Sequence, residues 1–219
     1  MKSLQDKLEH TLDLLRSIKD AHPPGEAALA WTGGKDSTAL LALWREAAPQ
    51  HTLAINIDTG CKFPEVLAFR DRMASEWGVR LYIARPLPED CPAQIAADKI
   101  ACCRAMKVAP LRRALAELGV RALLTGVRAD ENPERAHMRE REEREGYVQY
   151  NPLLDWTEMD VWAFTVARGL PYCELYDRGY RSLGCVPCTL PSGAGQGERG
   201  GRDSEKEARM AELHALGYF

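Results

Sequence analysis

One stretch constrains the fold more than any other, because an apolar run enters a Gly-Gly turn and a polar segment then leads into a helical pattern. The run is Ala28-Leu29-Ala30-Trp31, the turn is Thr32-Gly33-Gly34, and the polar segment is Lys35-Asp36-Ser37-Thr38. Glycines without a Cβ let the backbone bend sharply and approach a ligand closely. Backbone N–H groups at the start of the following helix favour an anion. The stretch therefore predicts a strand–loop–helix unit whose loop, Thr32 to Thr38, binds the phosphates of a nucleotide.

Strand and helix patterns alternate along the rest of the chain. This alternation predicts an α/β fold: a doubly wound parallel sheet of about five strands with helices on both faces. The predicted strands lie at 27–31, 52–57, 79–83 and 120–124, with a fifth within 147–154. We divide the chain into an N-terminal helix (1–25), a nucleotide-binding domain (26–188) and a mobile tail rich in glycine and charge (189–219).

Polar or glycine residues directly follow three of these predicted strands. Gly33 follows the first strand and Asp58 the second, and Gly126 and Arg128 follow the fourth. Ligands of open parallel sheets bind at the carboxyl ends of the strands. We therefore expect Asp58, Gly126 and Arg128 to join the loop in one nucleotide site. The remainder of the Arg/Glu-rich run 128–146 predicts a solvated helix with many ion pairs.

Composition narrows the class of protein. A chain of 219 residues with 45% hydrophobic and 28% charged residues is typical of an ordinary globular domain. The net charge of −3 gives no electrostatic reason to expect a nucleic-acid partner. Apolar runs fall short of the roughly 20 residues of a membrane span, and the N-terminus is too polar for a secretory signal. We expect a cytoplasmic protein without a membrane partner, and a homo-oligomer stays open.

Four of the seven cysteines form two pairs, Cys102-Cys103 and Cys185-x-x-Cys188. An odd number of cysteines in a chain of cytosolic character argues against a disulfide framework. Four thiolates suit either a structural zinc ion or an iron–sulfur cluster. Adjacent cysteines bind a single tetrahedral zinc awkwardly, because their side chains tend to point apart. A cluster has several iron corners and can accept both cysteines of a pair, so this spacing favours it over zinc, while free buried thiols stay open.

The order Thr-Gly-Gly-Lys-Asp-Ser in the loop resembles the pyrophosphate loop of the N-type ATP pyrophosphatases, which usually read Ser-Gly-Gly-x-Asp-Ser. Members of that family cleave ATP between the α and β phosphates. The resemblance implies an ATP site with Mg²⁺. In it Lys35 neutralises charge on the leaving pyrophosphate, Asp36 helps to hold the metal, and Arg128 is the third catalytic residue.

The cysteine segments resemble those of the assimilatory adenylyl-sulfate reductases. Cys102-Cys103 precedes Lys107-Val108-x-Pro110-Leu111, and the second pair lies in Gly179-Tyr180-x-Ser182-x-Gly184-Cys185-x-Pro187-Cys188-Thr189. The resemblance implies a 4Fe–4S cluster on Cys102, Cys103, Cys185 and Cys188, with Lys107 beside it. Those reductases also carry a catalytic cysteine in a Glu-Cys-Gly-Leu-His motif, which the segment Met210 to Phe219 does not match.

Other segments resemble the small subunit of bacterial sulfate adenylyltransferase. They are Lys62-Phe63-Pro64-Glu65, Phe69-Arg70-Asp71, Arg128-Ala129-Asp130-Glu131, Glu198-Arg199-Gly200-Gly201-Arg202 and Gly217-Tyr218-Phe219. This resemblance implies that a sulfate oxyanion binds the forked donors of four arginines. These are Arg128, Arg135, Arg199 and Arg202. It also implies a GTPase large subunit as a partner.

The sequence leaves four functions open. The leading hypothesis is transfer of an adenylyl group from ATP to sulfate, giving adenylyl sulfate and pyrophosphate. The alternative is reduction of adenylyl sulfate or its 3′-phosphate to sulfite with thioredoxin, against which the unmatched cysteine motif counts. A third is an ATP-dependent thiolation in which the cluster carries sulfur. A fourth is a regulator that binds nucleotide and cluster without catalysis.

Overall fold

A six-stranded sheet forms the centre of the structure, a computed structural model that describes residues 2–193 and 195–218. The strands are β1 (Ala27–Ala30), β2 (Leu53–Ile57), β3 (Arg80–Ala84), β4 (Ala122–Leu124), β5 (Arg141–Arg144) and β6 (Tyr147–Tyr150). Their order in the sheet is β3-β2-β1-β4-β6-β5. All pairs are parallel except β5–β6. The predicted doubly wound parallel sheet is confirmed.

Helices cover both faces of this sheet. They are α1 (Leu4–Ala21), α2 (Lys35–Ala47), α3 (Pro64–Glu76), α4 (Lys99–Cys103), α5 (Ala109–Leu118), α6 (Glu158–Ala167), α7 (Ser204–Glu207) and α8 (Met210–Ala215). One apolar core joins the sheet to α1, α2, α3 and α6, and a second joins it to α5. None of the described helices is both long enough and apolar enough to cross a membrane.

The charged run 128–146 is the first place where the structure differs from the prediction. Instead of a solvated helix it contains two 3₁₀ turns, Ala129–Glu131 and Pro133–His137, and the edge strand β5. Strand β5 pairs with β6 across a tight turn at Gly146, whose φ of +85° suits glycine. Charged side chains on an edge strand protect it from pairing with other chains. The run therefore supplies the sixth strand that the sequence pattern did not predict.

The segment 189–219 is the second difference, because we predicted it to be mobile. It contains α7 and α8 instead, and it buries Lys206, Met210 and Leu213. A short antiparallel bridge joins Thr189 to Arg202. Met210 and Leu213 pack with Cys103 of the main domain, and the Lys206 ammonium donates to the Tyr218 hydroxyl within the tail. Phe219, the last residue of the Gly-Tyr-Phe motif, lies outside the described residues.

Candidate functional site

The predicted phosphate loop lies between β1 and α2, at the carboxyl end of the sheet. Gly33 has a φ of +83°, and a Cβ there would lie 3.1 Å from the Cγ1 atom of Val66. The Ser37 hydroxyl donates to the Gly34 carbonyl at 3.1 Å and contacts the Thr32 hydroxyl at 3.0 Å. These contacts hold the turn at the N-terminus of α2, where backbone N–H groups favour an anion.

Gly126 lets the end of β4 touch this loop. A Cβ at position 126 would lie 2.9 Å from the Ser37 nitrogen and 3.0 Å from the Asp36 carbonyl carbon. Both are backbone atoms, which cannot rotate away as the end of a flexible side chain could. The close approach explains why the polar turn after β4 joins the loop in one site, as predicted.

Gly126→Ala is expected to destabilise the protein by about 1–3 kcal/mol, the usual cost of overpacking a filled site. The added methyl group must push α2 and β4 apart. Equilibrium unfolding in urea measures the effect. Gly197→Ala is the matched control, since a Cβ at Gly197 meets nothing within 4 Å. Equal stabilities of the two variants would contradict this account of Gly126.

Two buried cations, Lys35 and Arg128, converge on the carboxylate of Glu198. The Lys35 ammonium contacts one Glu198 oxygen and the Arg128 guanidinium contacts the other. Arg128 also donates to Asp36 at 2.6 Å and pairs with Asp130, and Lys35 lies 3.1 Å from Asp36. The three predicted catalytic residues Lys35, Asp36 and Arg128 therefore lie together, and Glu198 joins them without having been predicted.

The network strongly perturbs its members. Burial alone would lower the pKa values of Lys35 and Arg128, but neighbouring carboxylates, Asp36 first among them, outweigh burial and raise both. Burial raises the pKa of Glu198, and Asp36 and Glu131 add to that rise against the pull of Lys35 and Arg128. Lys35 and Arg128 thus stay charged, whereas burial and the neighbouring carboxylates disfavour the charged form of Glu198.

A second ion cluster, centred on Glu131, adjoins the first. Glu131 pairs with Arg135 and with Arg199 at 3.3 Å, and Arg199 also forms a two-pronged contact with Glu207 at 2.6 and 2.8 Å. Burial alone would raise the pKa of Glu131, but Arg135 and Arg199 lower it to about 2. Oxygens of Asp36, Glu131 and Glu198 lie within 4.8 Å of one another, so these three could hold a hard cation such as Mg²⁺.

A cavity of about 150 Å³ extends from the phosphate loop to Cys185. Its apolar wall contains Ala30, Ile55, Val108, Leu111 and Val127. Five cationic side chains also line it: Lys62, Lys107, Arg135, Arg199 and Arg202. The Nε atoms of Arg135 and Arg202 are buried without a hydrogen-bond partner among the described residues. An apolar wall beside spare cationic donors suits an anion attached to a flat apolar group, which is the chemistry of a nucleotide.

The two cysteine pairs meet around Lys107. Cys102 and Cys103 end α4, and the next five residues, Arg104–Val108, form a π-helical turn that carries Lys107. Burial alone would lower the pKa of Lys107, but Tyr218, Cys185 and Cys103 raise it. Burial alone would raise the pKa of Cys185, but Lys107 and a 3.3 Å hydrogen bond with Thr59 lower it. Single π-helical turns often occur at functional sites, and this one brings a lysine between two thiol pairs.

Among the described residues the cysteine sulfurs are not gathered as closely as a single zinc ion requires. A tetrahedral zinc with Zn–S bonds of about 2.3 Å would bring its sulfurs to about 3.8 Å of one another. Within residues 2–193 and 195–218, no three cysteine sulfurs lie within 4.8 Å of one another. A four-iron cluster binds each thiolate at a different iron and so spaces the sulfurs more widely. Cys102, Cys103, Cys185 and Cys188 are four thiols, which is the type of donor set that binds such a cluster.

Tyr218 was not predicted as a site residue, although the Gly-Tyr-Phe motif was noted. Its hydroxyl accepts from Lys206 at 2.8 Å and from Lys107 at 3.5 Å, and it lines the cavity. Burial alone would raise the pKa of Tyr218, but Lys107 and Lys206 lower it to about 7. The ordered tail thus closes one side of the cavity with a polar aromatic group.

Five of the predicted nucleotide residues line the cavity, namely Thr32, Gly34, Asp36, Ser37 and Gly126, whereas Gly33, Lys35, Thr38 and Asp58 do not. The Thr38 hydroxyl accepts from the indole N–H of Trp31 at 3.1 Å, inside the core. Asp58 accepts from the backbone of Gly60 at 3.0 Å and from Arg85 at 3.2 Å, and it does not line the cavity. Both side chains thus serve the local structure of the loops rather than the cavity.

Comparison with known proteins identifies the family. The profile of the phosphoadenosine phosphosulfate reductase domain matches residues 26–191. The chain belongs to this family. Among its relatives in the family, adenosine 5′-phosphosulfate reductase of Burkholderia cepacia is 33% identical over 212 residues, covering 91% of this chain and 83% of the relative. Phosphoadenosine 5′-phosphosulfate reductase of Gloeobacter violaceus is 35% identical over 199 residues, covering 85% and 81%.

Solved structures agree with the reductase family. The phosphoadenylyl-sulfate reductase of Candida auris, in a phosphate complex, superposes with a TM-score of 0.68 at 25% identity, covering 82% of this chain and 90% of that one. The FMN adenylyltransferase of Candida glabrata superposes with a TM-score of 0.71 at 22% identity, covering 86% and 64%, and shows the fold alone. These comparisons favour the reductase hypothesis. They do not support the leading hypothesis of a sulfate adenylyltransferase or its GTPase large subunit, because the relatives are named as reductases.

Proposed function

We propose that this protein reduces a sulfonucleotide, adenylyl sulfate or its 3′-phosphate, to sulfite. One observation carries the proposal: a single cavity joins the phosphate loop, three arginines and Cys185 in a chain whose relatives are named as sulfonucleotide reductases. The apolar wall of the cavity receives the adenine ring, and the loop residues Thr32 to Ser37 face the nucleotide phosphates. The sulfate group then lies towards Lys107 and Cys185.

The reaction moves two electrons. The bond between the sulfate sulfur and the oxygen bridging it to phosphate breaks, and the adenine nucleotide leaves with that oxygen. Sulfate sulfur is reduced to the level of sulfite. A dithiol such as thioredoxin is oxidised to its disulfide and supplies both electrons.

Arg135, Arg199 and Arg202 stabilise the anionic groups in this reaction. Arg135 and Arg199 pair with Glu131, and Arg202 donates to the Ser182 hydroxyl at 3.3 Å. These contacts fix the guanidinium planes, and the Nε–H groups of Arg135 and Arg202, which have no partner among the described residues, remain for the substrate. Donors that are positioned in advance stabilise developing charge more than mobile ones do.

The four cysteines hold a 4Fe–4S cluster in this proposal, with Lys107 between the pairs. A bound cluster supplies a fixed centre of charge beside the cavity. Lys107 offers the ammonium group that both Cys103 and Cys185 face. ATP and Mg²⁺ are not needed for this reaction, so the carboxylates of Asp36, Glu131 and Glu198 need no metal in it.

Two further thiols are placed very differently. Cys173 is 1% exposed within the core, whereas Cys61 is partly exposed and its carbonyl accepts from Val186, next to Cys185. Burial, followed by the nearby thiol Cys185, raises the pKa of Cys61. The attacking group must be a thiolate. The raised pKa counts against a thiolate at Cys61, but its partial exposure and its place beside Cys185 make it the first thiol of the described chain to test as the nucleophile.

The proposal predicts thioredoxin-dependent sulfite release by protein purified without oxygen. Adenylyl sulfate and its 3′-phosphate are supplied separately, and sulfite and the adenine nucleotide are both measured. Arg202→Gln is expected to lower kcat/KM by about 10²-fold or more, as expected for the loss of one preorganised charged donor. Arg141→Gln, on the exposed edge strand, is the matched control.

The same assay separates the rival functions. Pyrophosphate released from ATP and sulfate, with no sulfite from either sulfonucleotide, would overturn the reductase proposal. Sulfite release that survives Cys61→Ser would exclude Cys61 as the nucleophile and leave the reductant or another thiol to supply it.

A further inference from the structure

Glu198 holds a position that a substrate phosphate would be expected to take. It lies 163 residues after Lys35 in the chain, yet its carboxylate contacts both Lys35 and Arg128. The side chains of Lys35, Arg128 and Glu198 are 1%, 0% and 7% exposed. Two buried cations therefore share the carboxylate of Glu198, as they also share that of Asp36, at the start of α2 and directly beside the phosphate loop.

A carboxylate and a phosphate can be bound by the same groups at such a site. Each presents oxygens to an ammonium and a guanidinium group, and each is favoured by the N-terminus of a helix. Because Glu198 already uses both cations, an incoming phosphate must compete with it for them. The other carboxylates of the network, Asp36 and Asp130, contact nitrogens of Arg128 that Glu198 does not use, although Asp36 shares the Lys35 ammonium with Glu198.

The segment around Glu198 is fixed at its flanks, and its described residues between them (191–193 and 195–200) form neither helix nor strand. The Leu190 amide donates to the Gly201 carbonyl at 2.7 Å, and Arg181 donates to the Gln196 carbonyl at 2.7 Å. Five of the nine residues from 193 to 201 are glycines. Glycine-rich backbone can rearrange at low steric cost. Glu198 can therefore turn away while Arg199 and Arg202 stay at the cavity.

We propose that Glu198 is an intramolecular competitor of the substrate phosphate, which must displace its carboxylate from Lys35 and Arg128 to bind. The proposal rests on the proposed function only in placing a nucleotide phosphate at this loop. The charges of the site support it: Asp36 and Glu131 lie close to Glu198 and repel its carboxylate. Glu198 keeps the two cations paired in the free protein, and this crowding makes it easy to displace.

Competition of this kind lowers the apparent affinity for substrate by the fraction of molecules in which the site is open. Removing the charge of Glu198 should therefore tighten binding, whereas removing an ordinary binding residue would weaken it. The sign of the change separates the two roles. A role of Glu198 in metal binding can be distinguished as well, because its removal would then change substrate binding only when Mg²⁺ is present.

Isothermal titration calorimetry with adenylyl sulfate and with inorganic pyrophosphate, in a metal chelator, tests the proposal. Glu198→Gln keeps the size of the side chain and should bind both probes roughly 5- to 150-fold more tightly than the wild type, the usual range of coupling between two binding events. Glu205→Gln, in α7 and with its side chain 58% exposed, is the matched control and should bind as the wild type does. Glu198→Asp keeps the charge but withdraws the carboxylate by one methylene, and should give an intermediate gain.

Unchanged or weaker binding by Glu198→Gln would overturn the proposal. So would weaker binding that appears only with Mg²⁺, because Glu198 would then be a metal ligand. If Glu198→Gln does not fold, Glu198→Asp decides the question by the same comparison. The proposed function is tested separately, by the release of sulfite. Tighter binding by Glu198→Gln without any sulfite release would support this inference and contradict the proposed function. Sulfite release with unchanged binding by Glu198→Gln would support the proposed function and contradict this inference.

Discussion

Arg128→Gln is expected to cost about 3–5 kcal/mol of unfolding free energy, the range found when one partner of a buried ion pair is removed. The guanidinium group is fully buried and serves three carboxylates, those of Asp36, Asp130 and Glu198. A glutamine leaves these charges crowded, with Lys35 as the remaining cation beside two of them. Equilibrium unfolding in urea gives the loss. Binding of adenylyl sulfate should fall as well, because the phosphate loses a cation.

The controls for this variant separate burial from charge. Arg141→Gln removes an arginine whose side chain is 55% exposed, and it should change stability by less than about 0.5 kcal/mol. The double variant Arg128→Gln, Glu198→Gln should regain part of the lost stability, because one unpaired carboxylate is gone. A single variant as stable as the Arg141 control would mean that Arg128 is not the centre of the network.

Cys185→Ser is expected to remove most of the iron and sulfide from anaerobically purified protein. Serine is a poor ligand for iron that thiolates hold. Cys185 is also the thiol whose pKa Lys107 and Thr59 lower, so it is the one best prepared to bind as a thiolate. Iron and acid-labile sulfide are measured on the same sample, together with the visible absorption of the cluster.

The matched control is Cys91→Ser, because Cys91 is exposed and belongs to neither pair. It should keep the iron and sulfide content of the wild type. Zinc in place of iron in the wild type, or full iron content in Cys185→Ser, would contradict the cluster assignment.

The sequence predicts the parts of this structure that depend on neighbours in the chain. The loop from Thr32 to Ser37 follows from an apolar strand, two glycines and a helix start, all within one short stretch. The start of α6 is local in the same way, because Thr157 and Asp160, three residues apart, cap each other as a capping box does. The cavity beyond the loop follows from parallel strands that end at one edge.

The remaining features depend on contacts between distant segments. The Glu-Arg-x-Gly-Arg motif was noted for its arginines, yet Glu198 reaches Lys35 only because the tail folds back over the loop. Strand β5 reads as a charged helix, because its alternating pattern is weak and its pairing with β6 decides the outcome. Asp58 follows a strand as expected, but Arg85 and the Gly60 amide use its oxygens. Composition and periodicity describe each segment by itself, so they do not predict contacts between segments that are distant in the chain.

The π-helical turn at Arg104–Val108 connects α4 and α5 and allows the two helices to direct their side chains independently. Upstream of it, Cys103 packs with Met210 and Leu213 of the tail, and downstream Leu111 and Leu115 of α5 pack on the sheet. An uninterrupted α-helix advances by about 100° per residue, so its two ends would share one phase. The wider π-helical turn changes the rotation of α5 about the helix axis relative to α4. The thiol pair can therefore be aimed at its own partners while the apolar stripe of α5 follows the sheet, and neither register dictates the other.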